Sequence, residues 1–279
     1  MQTIYRVMDA ILPFECFRFA FMKNALLALL LLTPLLALLG TMAVNRRMAF
    51  FSDALGHSAL AGVGLGMLLG VQSELVSMIV FGILWAVMIS RINRTAGESA
   101  DTIISVFSST GIALGLLILS RNGSFSKYSA LLAGDVLSIQ PNDLLYLAVA
   151  LPLGVLCWAL MYNPLLLTAV NPALAKSRGV KTKWVEYLFV SLVAVAVMLS
   201  IRWVGVLLIN ALLILPAAAA RNIARTARQH AVFSVLIGLL CGVSGLIAAY
   251  FLDTGVGAAV VLCAVVCYGV TLLFRGRTR

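Results

Sequence analysis

Long uncharged, apolar stretches recur along the chain, and short polar segments separate them. Nine such stretches lie between successive charged residues, at positions 24–45, 54–73, 75–90, 102–120, 144–175, 187–201, 203–220, 231–252 and 254–274. A hydrocarbon core of about 30 Å needs roughly 20 apolar residues per helix. The stretches lack the period-two alternation of a membrane barrel. The pattern therefore predicts an all-α, polytopic transmembrane helical bundle of about eight or nine spans.

The longest stretch, 144–175, is interrupted by two Asn-Pro pairs that begin at Asn163 and Asn171. Asn-Pro pairs favour turns, so we expect a span that ends near Tyr162 and a loop over 163–186. Inside that loop, Asn171 is a candidate helix cap, with proline at the first helical position and Gly179 after the last turn. These signals predict a two-turn helix outside the membrane, which either docks on a soluble partner or simply connects two spans.

Composition supports a lipid environment. Hydrophobic residues make up 62% of the 279 positions and charged residues only 11%. Soluble domains carry about 25% charged residues, so the composition excludes an ordinary globular protein and a disordered chain. We interpret residues 1–279 as one transmembrane domain. Residues 1–18 mix charged and apolar side chains, which favours a short interfacial helix over a cleavable signal peptide.

The net charge of +10 comes from basic residues in the connecting segments. They form five clusters: Arg46 and Arg47; Arg91 and Arg94; Lys176, Arg178, Lys181 and Lys183; Arg221, Arg225 and Arg228; and Arg275, Arg277 and Arg279. Counting the spans between them places every cluster on one side, so the positive-inside rule explains the charge better than binding to nucleic acid. These clusters and the C-terminus are predicted to be cytoplasmic, and the N-terminus to be outside.

The candidate chemistry lies at Asp53 and His57, which are four residues apart and share one helix face. An ionisable residue at membrane depth is a candidate functional group. A carboxylate and a neutral imidazole suit zinc, manganese or ferrous iron. The alternative is that Ser52 or Asp53 caps the helix while His57 bonds a neighbouring helix. His230 lies in a basic segment and is expected to be solvated.

Glycines 62, 64, 66 and 70 follow Asp53 and His57 with the small-residue spacing that lets helices approach closely. No P-loop, nucleophile elbow or zinc-protease motif is present in the sequence, so an energised transporter would need its ATPase on another polypeptide. The chain is not expected to be an enzyme. An ion-coupled secondary transporter is the alternative, although few carboxylates fall within the spans.

Three segments resemble one known family. Residues 46–63 (RRMAFFSDALGHSALAGV) resemble the signature of the membrane subunit of bacterial ABC-type zinc, manganese and iron importers. Residues 204–221 (VGVLLINALLILPAAAAR) and 131–137 (LLAGDVL) are similar to two further hallmarks of that family. These segments occur in the family's order along nearly the whole chain.

This resemblance implies a type II importer-like permease in the bacterial cytoplasmic membrane that moves a divalent metal ion by alternating access. It implies a second permease subunit, normally an identical one, two cytoplasmic ATP-binding subunits and an extracytoplasmic metal-binding protein; it implies no resident cofactor. Asp53 and His57 match positions associated with the metal pathway. The segment that matches the ATPase-coupling helix comprises Asn171, Pro172, Ala173, Leu174, Ala175, Lys176, Ser177, Arg178 and Gly179.

The sequence departs from the family pattern at two places. Phe107, Ser108 and Ser109 stand where zinc-type members often carry a second histidine. Ala173 stands where the coupling helix usually has an acidic residue. The first difference leaves the choice among zinc, manganese and iron open, and the second leaves the contacts to the ATPase open.

Overall fold

The computed structural model describes Tyr5 and residues 19–95, 99–121, 123, 127–128, 134 and 136–274. Within these residues the chain forms helices and no strand, which confirms the predicted all-α class. The predicted interfacial helix over 1–18 lies outside the described residues, except for Tyr5. The helices are α1 (Ala20–Asn45), α2 (Phe51–Leu68), α3 (Glu74–Thr95), α4 (Ala100–Arg121), α5 (Pro141–Val170), α6 (Pro172–Ser177), α7 (Thr182–Ile223), α8 (Ala227–Leu252) and α9 (Val256–Phe274).

Seven of the described helices are long and apolar enough to cross a bilayer: α1, α3, α4, α5, α7, α8 and α9. Helix α2, with 18 residues, is not among these seven, because it carries Asp53, His57 and four glycines. Most of its residues are nevertheless buried among the other helices. Its neighbours therefore shield most of this helix from lipid, while the side that carries Asp53 and His57 stays partly accessible in the single chain.

Helix α7 is two antiparallel spans joined at Gly205. Its 42 residues would extend about 63 Å as one helix, twice the hydrocarbon thickness. Residues near its start (Thr182) and near its end (Arg221) instead line two cavities that share Asn45 and Ala169. The chain reverses at Gly205, whose φ of 76° and ψ of 164° are open essentially only to glycine. We call residues 182–204 α7a and residues 205–223 α7b.

The reversal gives a consistent topology. With α7 counted as two spans and α2 included, the described helices cross the membrane nine times, at the upper end of the predicted number. The segments after α1, between α3 and α4, around α6 and between α7b and α8 then share one side. These segments contain the described members of the basic clusters, so this side is cytoplasmic by the positive-inside rule. Arg275, Arg277 and Arg279 lie outside the described residues.

The predicted loop directly after Tyr162 is wrong, because the helix does not end there. Helix α5 continues through Asn163 and Pro164 to Val170, so the predicted loop over 163–186 is reduced to short connections around α6. Proline removes one backbone hydrogen bond but does not end a helix in a membrane bundle, where neighbouring groups satisfy the freed carbonyl. The 30 residues of α5 span about 45 Å, so its last turns project beyond the hydrocarbon core on the cytoplasmic side.

Helix α2 packs most extensively against α4 and also contacts α3 and α7. The predicted close packing of its glycines is confirmed at Gly62, Gly64 and Gly66, where an added methyl group would lie within 3.2 Å of a neighbouring helix. Gly70 has open space around it and a φ of 69°, so its role is to end the helix. This packing fixes α2 against its neighbours and thereby orients Asp53 and His57.

Candidate functional site

Asp53 and His57 lie on the exposed side of the first two turns of α2. Nε2 of His57 is 3.4 Å from Oδ1 of Asp53, as their spacing predicts. Phe50 occupies the cap position of α2, and no side chain there bonds the first-turn amides. The alternative prediction, in which Ser52 or Asp53 caps the helix, is therefore wrong. The Asp53 carboxylate still lies in the first turn, where the helix dipole favours a negative charge.

Asn210 on α7b completes this polar group. Its Nδ2 donates a hydrogen bond of 2.8 Å to Oδ1 of Asp53. Its own Oδ1 is buried and has no hydrogen-bond partner among the described residues. A buried amide oxygen without a partner is costly, so this atom is suited to a cation or to a water molecule.

These three side chains line a cavity of about 640 Å³ between α2, α7b and α9. The rest of its lining is mainly apolar: Ala49, Phe50, Val206, Leu207, Ala211, Ile214, Leu215 and Val261. In the single chain about 40% of the Asp53 side chain and 29% of the His57 side chain remain accessible. A carboxylate, an imidazole and an amide thus converge on an apolar chamber within the span region of the molecule.

Gly56 brings the two walls of the cavity together. A methyl group at Gly56 would lie 2.5 Å from Cγ1 of Val206 on α7b. Glycine is therefore required for α2 to lie this close to α7b, and this closeness lets Asn210 reach Asp53. Because Gly56 falls between Asp53 and His57 in the sequence, the close helix contact occurs at the same turns of α2 that carry the two polar side chains.

Of the described residues that line the cavity, only Asp53 and His57 are ionisable. No group of three His, Cys, Asp or Glu residues in the described part of the chain is arranged to hold a metal ion. Ser58 donates to the carbonyl of Leu55 in its own helix, and the buried hydroxyl of Ser52 has no hydrogen-bond partner among the described residues. Phe107, at the first departure from the family pattern noted above, packs edge-on against Trp85 and does not line the cavity.

Helix α6 has the local structure that the sequence predicts. The side chain of Asn171 accepts hydrogen bonds of 3.0 Å from the amides of Ala173 and Leu174, and proline occupies the first helical position. The helix ends at Ser177, and Gly179 follows with a φ of 78°. Ala175 is fully buried, whereas Leu174 is 43% exposed. The helix therefore anchors itself through one face and presents the other on the cytoplasmic surface.

His230 contradicts the expectation of a solvated side chain. It is only 6% exposed, and its Nε2 lies 2.9 Å from the carbonyl oxygen of Ala217. The reason is that α8 begins at Ala227, so His230 falls in the first helical turn and faces α7b. It does not line the cavity of Asp53 and takes a structural role.

Asn210 was not predicted as a site residue, although it lies in a segment that resembles the family. A single asparagine within an apolar span was the available signal. Its pairing with Asp53 depends on the reversal at Gly205, which the sequence does not reveal.

Of the third family-like segment, Leu131, Leu132, Ala133 and Asp135 lie outside the described residues. Gly134 packs directly on the backbone of Val204 and Gly205.

Comparisons with known proteins agree with one another. A model described as the ABC 3 transport family matches residues 18–275. The chain is 33% identical over 261 residues to the high-affinity zinc uptake system membrane protein ZnuB of Haemophilus influenzae, with 93% of this chain and 99% of that protein covered. It is 30% identical over 263 residues to the manganese import system permease protein ScaB of Streptococcus parasanguinis, with 94% and 93% covered.

A solved structure shares the fold. The structure of PsaBC from Streptococcus pneumoniae in complex with Fab matches with a TM-score of 0.80 and 27% sequence identity. The match covers 97% of this chain and 95% of that chain. The similarity therefore extends through all the helices that surround Asp53 and His57.

Proposed function

This chain belongs to the ABC 3 transport family, and we propose that Asp53 and His57 hold a zinc or manganese ion while it passes through the permease. The chain is a multi-pass protein of the cytoplasmic membrane and the permease subunit of a metal importer of the ATP-binding-cassette type. The chain is not the ATPase itself; hydrolysis is assigned to separate cytoplasmic subunits.

The observation that carries the proposal is the convergence of three polar side chains on one apolar cavity. A first-row divalent ion accepts a carboxylate, an imidazole nitrogen and an amide oxygen as ligands. Asp53 and His57 supply the first two. Oδ1 of Asn210, which is buried and has no hydrogen-bond partner among the described residues, supplies the third once the amide rotates towards the cavity. The surrounding apolar wall strengthens electrostatic attraction between the ion and Asp53, because few polar groups screen it.

This ligand set suits transit better than storage. Two ionisable ligands and one amide leave several coordination positions of the ion to water, so binding is weak enough for release. Alternating access then requires only that the cavity open first to one side of the membrane and then to the other.

A second copy of the chain is proposed to close the cavity. In a single chain, Asp53 is partly accessible beside the exposed apolar side chains of Phe50 and Leu207. A charged group facing lipid at membrane depth costs about 2.5 to 3.5 kcal/mol. Pairing two permeases across this cavity removes both copies of Asp53 from lipid. It also brings a second Asp53 and His57 to the same pathway.

Helix α6 is proposed to transmit the motion of the ATPase subunits. It is short, capped and basic, and it lies on the cytoplasmic surface between α5 and α7a. Its buried Ala175 ties it to the bundle, while the exposed Leu174 is free to contact a partner. An extracytoplasmic binding protein would deliver the ion to the opposite end, near the connection of α4 and α5.

Uptake of radiolabelled zinc and manganese tests the assignment. Cells that produce the complete importer with Asp53→Asn or His57→Ala should accumulate each metal at least about tenfold more slowly than wild type. Asp101→Asn removes an exposed carboxylate that does not line the cavity, so it is the matched control and should leave uptake unchanged. Wild-type uptake by both cavity variants would reject the proposed role of Asp53 and His57.

The alternative of an ion-coupled carrier predicts metal uptake by the permease alone. The importer predicts that uptake needs the ATPase subunits and stops when residues 171–179 are scrambled.

Pairing is tested separately: Leu207→Cys should cross-link two copies, whereas Leu153→Cys on the exposed face of α5 should not.

A further inference from the structure

A second cavity, of about 500 Å³, lies at the cytoplasmic end of the bundle beside α6. It is lined by the ends of α1, α3 and α5 and by the start of α7a. Four of its lining residues are cationic and one is acidic; they are Arg46, Arg47, Arg94, Lys176 and Glu186. The cavity therefore carries a formal charge of +3, and it is separate from the chamber of Asp53 and His57.

The single carboxylate of this cavity is already engaged. Oε2 of Glu186 pairs with Nη1 of Arg94 at 3.4 Å, and Oε1 accepts a hydrogen bond of 2.7 Å from Ser90. Arg47 and Lys176 form no ion pair within the described part of the chain. The cavity therefore contains three more positive than negative side chains.

Arg46 is the most buried of these cations. Its Nη2 donates to Oγ1 of Thr168, and its guanidinium lies 5.6 Å from the ring centre of Phe189. Its Nε is buried and has no hydrogen-bond partner among the described residues. Burial lowers the pKa of Arg46 below its ordinary value, against the opposing effect of the Glu186 carboxylate. A nearby anion would supply the missing negative charge.

Arg47 occupies a backbone conformation that favours glycine. Its φ is 58°, and it ends α1 with hydrogen bonds from Arg47 to Val44 and from Met48 to Ala43. Glycine is the usual residue at this position of such a helix end, because a side chain there adds strain. An arginine at this position brings a cation to the rim of the cavity at some cost in stability.

The start of α7a adds a further positive element. Lys181 is at its cap position, and its side chain does not bond the free amides of the first turn. An uncapped helix start attracts oxyanions through its amides and its dipole. Thr182, the first residue of the helix, lines the same cavity as the four cations.

The cavity lies at the depth of the lipid headgroups. Trp184, two residues after Thr182, is 65% exposed. Leu188, one helical turn further along α7a, is also exposed. Exposed tryptophan marks the membrane interface. Val170, at the end of α5, is also exposed, so apolar surface meets the basic cavity at the cytoplasmic boundary of the bilayer.

We propose that this cavity binds the phosphate headgroup of an anionic phospholipid of the cytoplasmic leaflet. Basic cavities between transmembrane helices at the cytoplasmic face are suited to such headgroups. Arg46, Arg47 and Lys176 neutralise the phosphate, and the first turn of α7a donates to its oxygens. The bound lipid holds the ends of α1 and α5 and helix α6 together, and the proposal stands whether or not the cargo is a metal ion.

Lipid binding to the purified full chain tests the proposal. Delipidated protein is titrated with dioleoylphosphatidylglycerol or dioleoylphosphatidylcholine in mixed micelles, and bound lipid is counted by native mass spectrometry. The cavity variant is Arg47→Gly with Lys176→Gln, which removes two charges and also relieves the strain at Arg47. The matched control is Arg91→Gln with Arg228→Gln, which removes two exposed charges from the same side outside the cavity.

The anionic lipid should bind wild type and the control with similar affinity, and the cavity variant about 30-fold more weakly, at roughly a factor of five per charge. The zwitterionic lipid should bind all three proteins weakly, and millimolar inorganic phosphate should not displace the anionic lipid. Equal weakening in the cavity variant and the control would overturn the proposal. So would displacement by phosphate alone, which would indicate a soluble ligand, or displacement by added ATPase subunits, which would indicate that a protein carboxylate fills the cavity.

Discussion

The side-chain amide of Asn210 donates a hydrogen bond of 2.8 Å to the carboxylate of Asp53, across 157 positions of the sequence. This bond joins α2 to α7b at the edge of the cavity that contains His57. It fixes one oxygen of the carboxylate and leaves the other available. Asn210 therefore positions Asp53 in this structure, and rotation of its amide would turn the buried Oδ1 into the third ligand proposed above.

Replacing Asn210 tests this relationship. Asn210→Leu should weaken metal uptake mainly through the apparent affinity, by about tenfold or more, because Asp53 loses its orienting partner. The maximal rate should fall less than in His57→Ala. Asn210→Gln should recover part of the affinity, since it retains the amide. Concentration-dependent uptake of radiolabelled metal separates the two parameters; an unchanged affinity in Asn210→Leu would contradict a positioning role.

Gly205 is predicted to stabilise the fold, because it permits the reversal within α7. Gly205→Ala should lower the thermal unfolding midpoint, because its backbone conformation costs other residues roughly 1 to 3 kcal/mol. The backbone around Gly205 is also crowded, because Gly134 packs directly against it. Gly269 has no neighbouring atom within 4 Å of an added methyl group, so Gly269→Ala is the control and should be neutral or slightly stabilising. Equal midpoints for Gly205→Ala and wild type would argue against the reversal.

The pair of Arg94 and Glu186 is predicted to stabilise the cytoplasmic end of the bundle. Both side chains are only partly buried, with 26% of Arg94 and 18% of Glu186 exposed, so Glu186→Gln should destabilise the protein by about 1 kcal/mol, because it leaves Arg94 near Arg46 without a counter-charge. Combining it with Arg94→Gln should restore part of that loss. Chemical denaturation of the two single variants and the double variant measures the coupling, and strictly additive effects would show that the pair contributes nothing.

The sequence was sufficient for much of this fold. Uncharged stretches located the spans, and basic clusters set their orientation, because the bilayer imposes both patterns on any helical membrane protein. The cap of α6 was also predictable, since Asn171 and the proline after it act locally. By contrast, the continuation of α5 through Pro164 depends on its neighbours, and a local turn signal could not reveal it.

The site was only partly predictable for the same reason. Asp53 and His57 are one turn apart, so helical geometry alone brings them together. Asn210 reaches them through a reversal and a close helix contact at Gly56, both of which are tertiary. His230 was assigned to solvent because its neighbours are basic, yet the helix start at Ala227 turns it towards Ala217.

Helix α6 is predicted to lose its function when its cap is removed. Asn171→Ala eliminates two hydrogen bonds to backbone amides and should destabilise this short helix by about 1 kcal/mol. Metal-stimulated ATP hydrolysis by the assembled complex should fall, whereas Asn171→Asp should retain it, because aspartate caps equally well. Full stimulation in Asn171→Ala would contradict the proposed coupling role.

The central claim is that ATP hydrolysis by separate subunits drives a transition metal through this permease. The most direct test is the time course of zinc and manganese accumulation in proteoliposomes that contain the complete complex and its binding protein. ATP on the cytoplasmic side should produce metal transport in the import direction, and Asp53→Asn with His57→Ala should abolish it while the complex stays assembled. Sustained ATP hydrolysis without transport of either metal by the wild-type complex would contradict the account.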